Sequence, residues 1–289
     1  MGEKLEKFRA AVVQLRSESQ VERNLDAAEA AIRSAAGDGA AYVQTPENTS
    51  LMVLKTRELF EKTMPEQDNP AVEMFSGLAK ELGIWLHIGS MAIKLSDKKV
   101  ANRSFLYTPK GDIAARYDKI HMFDVDLPNG ETYRESKNYQ PGHQAVTADL
   151  PWGRLGLTTC YDLRFPALYR ALAHAGAQFV SVPSAFTEQT GKAHWHVLLR
   201  ARAIENGMYV FAAAQGGAHD MGRSTYGHSL IVSPWGEVIA EAGVEPEVIF
   251  AEIDPVQVAK ARSRIPSLQH DREYDLPSDK PDVRVREAS

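Results

Sequence analysis

Residues 153–183 read GRLGLTTCYDLRFPALYRALAHAGAQFVSVP. Gly153 to Thr159 is an apolar run of strand length. Phe165, Leu168 and Leu172 then recur at helical spacing until Gly176, and Phe179 to Pro183 is apolar again. Strand, helix and strand in so short a stretch predict an α/β fold with helices covering the sheet faces. Cys160, the only cysteine of the chain, falls at the first strand-to-helix junction.

The same alternation extends outward on both sides. Phe8 to Leu15 reads as a strand, and Val21, Leu25, Ala28 and Ile32 as a helix stopped at Gly37-Asp38-Gly39. A short run from Ala41 to Thr45 ends at Pro46-Glu47. Val72, Phe75, Ala79 and Leu82 mark a helix closed by Gly83, and Ile84 to Lys94, Arg103 to Thr108 and Asp112 to Tyr117 are consecutive strands. Residues 120–142 show no sustained period and carry Pro128, Asn129, Gly130, Pro141 and Gly142, the profile of a long surface loop. Further on, a helix is expected over about 193–205, with strands at Met208 to Ala214, Ser229 to Ser233 and Val248 to Ile253. No linker or repeat divides the 289 residues, so one domain over 6–275 is expected, followed by a polar tail over 276–289.

Bulk properties exclude several classes of function. A net charge of -5 with scattered Lys and Arg offers nothing to a phosphate backbone or an anionic membrane, so neither nucleic acid nor membrane is an expected partner. The first nine residues mix charges of both signs and do not read as a secretory signal, and Glu6 stands where a myristoylation site needs Ser or Thr. One cysteine rules out an intrachain disulfide and suits a reducing compartment, so the cytoplasm is the expected location.

A cysteine ending a strand is often only a small buried hydrophobe. The elbow around Cys160 offers a second reading. Backbone N–H groups and a helix N-terminus would favour an anion there, predicting a stabilised thiolate of lowered pKa and an oxyanion donor in the Tyr161 N–H. Such a nucleophile needs a proton acceptor, and none of the nine histidines has a papain-like or caspase-like context. Glu47 and Lys119 each sit at a predicted strand end, where a parallel arrangement could bring them to one rim.

Three contexts together resemble the nitrilase, or carbon-nitrogen hydrolase, superfamily: Pro46-Glu47-Asn48, Tyr117-Asp-Lys119-Ile-His121, and Thr159-Cys160-Tyr-Asp-Leu-Arg164-Phe-Pro166. The likeness continues through Glu131-Thr-Tyr-Arg-Glu135, Pro183-Ser-Ala-Phe186, Gly191-Lys-Ala-His-Trp195 and Tyr226-Gly-His228-Ser, covering roughly residues 6 to 275. It is nearest to the Nit branch, which includes amidases acting on deaminated glutathione and the omega-amidase acting on 2-oxoglutaramate. The resemblance implies a four-layer α-β-β-α sandwich that forms a homodimer or larger homo-oligomer. It also implies hydrolysis of a small carboxylate-bearing amide without metal or cofactor. By it Cys160 is the nucleophile, Glu47 the general base, Lys119 the stabiliser of the tetrahedral intermediate, and Glu135 the residue that orients Lys119. Thr45, Ala167 and Gly216 depart from the family pattern and are expected to bear on the pocket wall rather than on acyl transfer.

Arg164 is the preferred substrate-carboxylate residue, and Phe186 and Trp195 are expected in or beneath the pocket, with Tyr161 beside the nucleophile. His194-Trp195-His196 suggests zinc, yet residues two apart on a helix do not face each other. Other readings are a nitrilase or N-carbamoyl amino acid hydrolase with the same residues, and a binding protein that keeps the fold without turnover.

Overall fold

The computed structural model describes residues 6–128 and 130–275. The polar tail expected over 276–289 lies outside the described residues, as do residues 1–5 and Asn129. In chain order the first half contains β1 (Phe8–Gln14), α1 (Val21–Gly37), β2 (Tyr42–Gln44), α2 (Thr56–Lys62), α3 (Pro70–Leu82), β3 (Trp85–Lys94), β4 (Val100–Tyr107) and β5 (Ile113–Asp118). A small hairpin, β6 (Asp124–Asp126) and β7 (Thr132–Arg134), leads to β8 (Val146–Leu150), β9 (Gly153–Leu157), α4 (Pro166–His174), β10 (Ala177–Ser181) and α5 (Glu188–Asn206). The chain finishes with β11 (Tyr209–Ala212), β12 (Gly216–Ala218), β13 (Ser224–Tyr226), β14 (Leu230–Val232), β15 (Val238–Glu241), β16 (Glu247–Ile253) and α6 (Val256–Arg264).

Two six-stranded sheets result, ordered β16-β1-β2-β3-β4-β5 and β15-β14-β11-β10-β9-β8. Both are mixed: β1, β2 and β3 run parallel, as do β9, β10 and β11, while the outer strands are antiparallel. Side-chain alternation fixes the layers. On β1, Ala10 and Val12 face the second sheet, while Ala11 and Val13 face α1 and α3. On the second sheet, Phe179, Phe211 and Ile231 point inward, and Val180, Val210 and Leu230 point toward α4 and α5. Helix, sheet, sheet and helix therefore stack as the expected α-β-β-α sandwich in a single domain.

Local sequence explains the helix limits. Asn69 caps α3 by accepting from the Ala71 N–H at 3.1 Å, Pro70 pre-sets its first turn, and Gly83 ends it in the left-handed conformation. Between the sheets Phe179 meets Phe8, Tyr209 and Phe211, with ring centroids 5.6 to 6.0 Å apart. Truncating so buried a ring to alanine costs about 3–5 kcal/mol. Among the described residues no helix is long and apolar enough to cross a membrane.

Residues 120–142 are not the structureless loop that their composition predicts. They hold the β6–β7 hairpin and a short turn of helix at Glu135–Lys137, and they return to the body where the Val100 N–H donates to Asn138 O and the Gln140 N–H to Val100 O. Three-residue strands carry too few positions to show a period, which is why the segment reads as loop.

Candidate active site

Glu47 follows β2 on a turn that the rest of the first sheet holds down. Asn48 adopts φ 60°, a conformation asparagine tolerates better than most residues. Its N–H donates to Ser90 Oγ at 3.0 Å, and the Thr45 hydroxyl accepts from the Gly89 N–H at 3.1 Å. Gly89 is required: a Cβ there would meet Thr45 O at 2.2 Å and Pro183 Cβ at 2.4 Å, so only glycine lets the two sheets approach at this rim.

Cys160 closes the gap from the other sheet. It has φ 50°, a strained conformation for a side-chain-bearing residue that costs about 1–3 kcal/mol and persists only where its surroundings hold it. They do so through Asp162. One Asp162 oxygen accepts from the Thr159 N–H at 2.8 Å and the Tyr117 hydroxyl at 2.6 Å, the other from the His121 N–H at 3.0 Å and His121 Nδ1 at 2.7 Å. The Cys160 N–H donates to Pro183 O at 2.9 Å. Asp162 thus ties down the elbow.

Lys119 continues β5 past its last paired residue and is 2% exposed. Its ammonium lies 3.0 Å from Glu47 Oε1 and 2.9 and 2.8 Å from the two Glu135 oxygens. Asn102 Nδ2 donates to Glu47 Oε1 at 2.9 Å, and the Ala185 N–H donates to Glu47 Oε2 at 2.9 Å. Glu135 is fixed in turn by the Phe123 N–H at 2.7 Å.

Two carboxylates share one ammonium, so this centre carries net negative charge beside the sulfur. Burial disfavours the charged forms, yet the Glu135 and Glu47 charges hold the Lys119 pKa well above its ordinary value. Glu47 is likewise penalised by burial, but Lys119, together with hydrogen bonds from Cys160, Lys119 and Asn102, carries it below the ordinary carboxylate value. The thiol goes the other way. Burial and then the Glu47 carboxylate push Cys160 well above a free cysteine, against Lys119 and the Ala185 N–H.

The stabilised thiolate expected from sequence is therefore corrected. Lys119 is committed to two carboxylates, and the element beginning at Cys160 is a five-residue 3₁₀ turn rather than a helix, which begins only at Pro166. What the centre presents is a protonated thiol against an ionised carboxylate. Such a pair can attack a carbonyl as the proton passes to Glu47, with the ammonium placed to meet a developing oxyanion. The Tyr161 N–H, in the first turn of the 3₁₀ element, has no intrahelical acceptor and is available as a second donor.

The centre forms the floor of a cavity of about 450 Å³ that also includes Tyr139, Tyr161, Arg164, Phe186 and Arg223 in its lining. The carbon-nitrogen hydrolase model matches residues 9–263. The chain belongs to that family.

A deaminated glutathione amidase of Yersinia enterocolitica is 41% identical over 265 residues, covering 91% of this chain and 92% of its own. The human protein of that name is 38% identical, over 91% of this chain and 81% of its own. Among solved structures, the Caenorhabditis elegans NitFhit protein superposes with a TM-score of 0.86 at 38% identity, over 92% of this chain, which spans 65% of that longer one. Nit3 of Saccharomyces cerevisiae, a nitrilase-superfamily member, gives 0.79 at 30% identity, over 90% of this chain and 95% of its own. An amidase from Nesterenkonia sp. AN1, seen with acrylamide added at its active-site cysteine, gives 0.76 at 27% identity over 89% and 98%. The chain is a Nit-branch enzyme, an amidase hydrolysing non-peptide carbon–nitrogen bonds.

Of the residues this amidase's sequence singles out, Glu47, Lys119, Glu135 and Cys160 meet on the floor, and Tyr161, Arg164 and Phe186 line the walls. Trp195 does not line the cavity. It is 1% exposed, its indole N–H donates to His228 O at 2.7 Å, and it packs behind Phe186 with centroids 4.9 Å apart. Thr45, Ala167 and Gly216 are not wall residues either: the Thr45 hydroxyl pairs with Thr49, and a Cβ on Gly216 would meet Val244 O at 2.2 Å. Asn102, Tyr139 and Arg223 escape sequence reasoning, Asn102 because it sits within a strand with no motif around it. His194 and His196 do part company. His194 meets Arg164, whereas His196 and His228 bracket Glu241 Oε1 at 2.9 and 3.1 Å. The three ligand atoms lie within 4.8 Å of one another, so this group could hold a cation, but it shares no lining residue with the cavity.

Proposed function

We propose that this amidase cleaves the amide of a 2-oxo dicarboxylic acid, deaminated glutathione in the first place, through a thioester on Cys160. The observation that carries the reading is the meeting of Glu47, Lys119 and Cys160 on the floor of one cavity, in a chain about 40% identical to enzymes of that name. Cys160 Sγ attacks the amide carbon while its proton passes to Glu47, and the carbonyl oxygen becomes an oxyanion facing Lys119 and the Tyr161 N–H. Collapse of the tetrahedral intermediate breaks the carbon–nitrogen bond as Glu47 returns the proton to the departing amine. Water, deprotonated by Glu47, then attacks the thioester. The acid leaves and the thiol is restored.

Glu135 acts through Lys119, keeping its ammonium in place and charged. Arg164 stacks over Phe186 at 5.3 Å and Tyr161 at 5.9 Å, and apart from the Nη1 that meets His194 Nδ1 at 3.2 Å its guanidinium N–H groups would be offered to a substrate carboxylate. The test is amine or ammonia release from deaminated glutathione, 2-oxoglutaramate, succinamate, an N-carbamoyl amino acid and a simple nitrile, with Cys160→Ala as blank. Turnover of deaminated glutathione at least tenfold above the others, abolished in Cys160→Ala, is expected. Faster turnover of 2-oxoglutaramate would make the enzyme an omega-amidase, and activity surviving in Cys160→Ala would sink the thioester mechanism.

A further inference from the structure

The charges around the cavity are not all paired in the way those of the floor are. Of the lining cations, Lys119 is taken by Glu47 and Glu135, Lys55 by Glu58 at 2.9 Å, and Arg134 by Asp126 at 2.8 Å. Two guanidiniums remain without an ion pair among the described residues, Arg164 and Arg223. Glu131, on the same wall, accepts from the Tyr133 hydroxyl at 2.9 Å. Arg223 gives one hydrogen bond to Ala185 O and lies 5.3 Å from the Tyr133 ring centroid, yet its Nε is buried with no hydrogen-bond partner among the described residues. A buried donor left without a partner is costly, more so when charged, and a bound anion is one thing that would satisfy it.

Its position tells which half of a substrate it faces. Ala185 gives its N–H to Glu47 Oε2 and its carbonyl to Arg223, while Lys119 holds the opposite oxygen, Oε1. Arg223 therefore lies on the flank of Glu47 away from Lys119. In the mechanism above, on which this inference rests, Glu47 hands its proton to the departing nitrogen, so the amine fragment lies on that flank. Arg164, four residues after the nucleophile and stacked on Phe186, serves the acyl half. We infer that Arg223 forms a second carboxylate subsite, for an acid group carried by the amine leaving group. Deaminated glutathione, with one carboxylate on each side of the scissile bond, would fill both subsites, whereas a primary amide that releases ammonia would leave the Arg223 subsite empty.

The test compares kcat/KM for a 2-oxoglutaramyl peptide with a free C-terminal carboxylate, the same peptide with that terminus amidated, and 2-oxoglutaramate. Wild type, Arg223→Gln and Arg223→Lys are assayed on each. The wild-type enzyme is expected to lose at least tenfold on amidation of the peptide. Arg223→Gln should lose at least tenfold more on the free peptide than on 2-oxoglutaramate and no longer distinguish the free from the amidated terminus. Arg223→Lys should recover part of the loss, mainly in KM. Equal losses on all three substrates, or a wild type indifferent to amidation, would overturn the subsite while leaving the amidase standing. The wild-type comparison needs no variant, so it decides even where Arg223→Gln folds poorly. Turnover that survives in Cys160→Ala would instead remove the thioester reading and the subsite with it.

Discussion

The floor and the mouth of this cavity are built on opposite plans. On the floor, both Glu47 oxygens, both Glu135 oxygens and the Lys119 ammonium are each met by a partner within about 3 Å, and every one of those groups hangs from a strand end or from a turn tied to one. At the mouth, Arg164 and Arg223 rest on aromatic faces, have no ion pair among the described residues, and come from a tight turn and from the polar connection between β12 and β13. Fixed, mutually paired charges in a dry place suit bond-breaking, because they need no reorganisation when charge develops. Unpaired cations on loops suit selection, because only a ligand of the right charge completes them. Substitutions should therefore separate into two classes: floor changes that cost fold and turnover together, and mouth changes that alter only which substrate is used.

The harshest test of that division is Lys119→Met. It leaves the Glu47 and Glu135 carboxylates facing each other in a dry site, where removing one partner of a buried ion group costs about 3–5 kcal/mol unless a carboxylate takes up a proton. Loss of the oxyanion partner should lower kcat by on the order of 10³-fold. Denaturant unfolding and single-turnover kinetics on the same sample check both. A variant as stable as wild type but inactive would break the claim that the floor's chemistry and stability are one structure.

The ionisation of the floor gives the next largest effect. The Cys160 thiol stands above its ordinary pKa and Glu47 below its own, so thiol plus carboxylate is the prevailing pair through the neutral range. A group with a depressed folded pKa, such as Glu47, contributes stability above its unfolded value and loses it as pH falls through the folded one. Alkylation of Cys160 by iodoacetamide at pH 8 should run at least tenfold slower than that of free cysteine, with no thiolate absorbance step up to pH 9. kcat/KM should be flat from about pH 5 to 9. An alkaline rise near the free-cysteine pKa of about 8.5 would show that a preformed thiolate attacks instead.

That correction marks the limit of what the sequence carries. Regular elements were legible because their periods are long: Val21, Leu25, Ala28 and Ile32 trace α1, and Gly37 and Gly83 fall where α1 and α3 stop. The floor was legible because Glu47, Lys119, Glu135 and Cys160 each sit in a distinctive run. The thiol's ionisation depends on a sum of charges from both sheets, and no local run reports that Lys119 is shared by two carboxylates. Whether Trp195 lines the pocket or packs beneath it was not legible for a related reason, since its partner His228 lies in another element. Arg223 stands in a polar, glycine-containing connection that reads as any surface turn, and only the folded arrangement brings it against Ala185.

The smallest effect belongs to Arg164, and it tests the mouth alone. It meets the faces of Tyr161 and Phe186 and His194 Nδ1 at 3.2 Å, with no buried carboxylate among the described residues left stranded when it is removed. Arg164→Gln should therefore change unfolding free energy by no more than about 0.5 kcal/mol, as for surface substitutions away from such networks. Its kinetic cost should appear in KM, about tenfold for every substrate with an acid on the acyl side, because that carboxylate is held equally in ground and transition states. The loss should be shared by 2-oxoglutaramate and the 2-oxoglutaramyl peptide, the opposite of the pattern expected for Arg223→Gln. A fall in kcat comparable to that of Lys119→Met would place Arg164 with the floor and erase the boundary between the two plans.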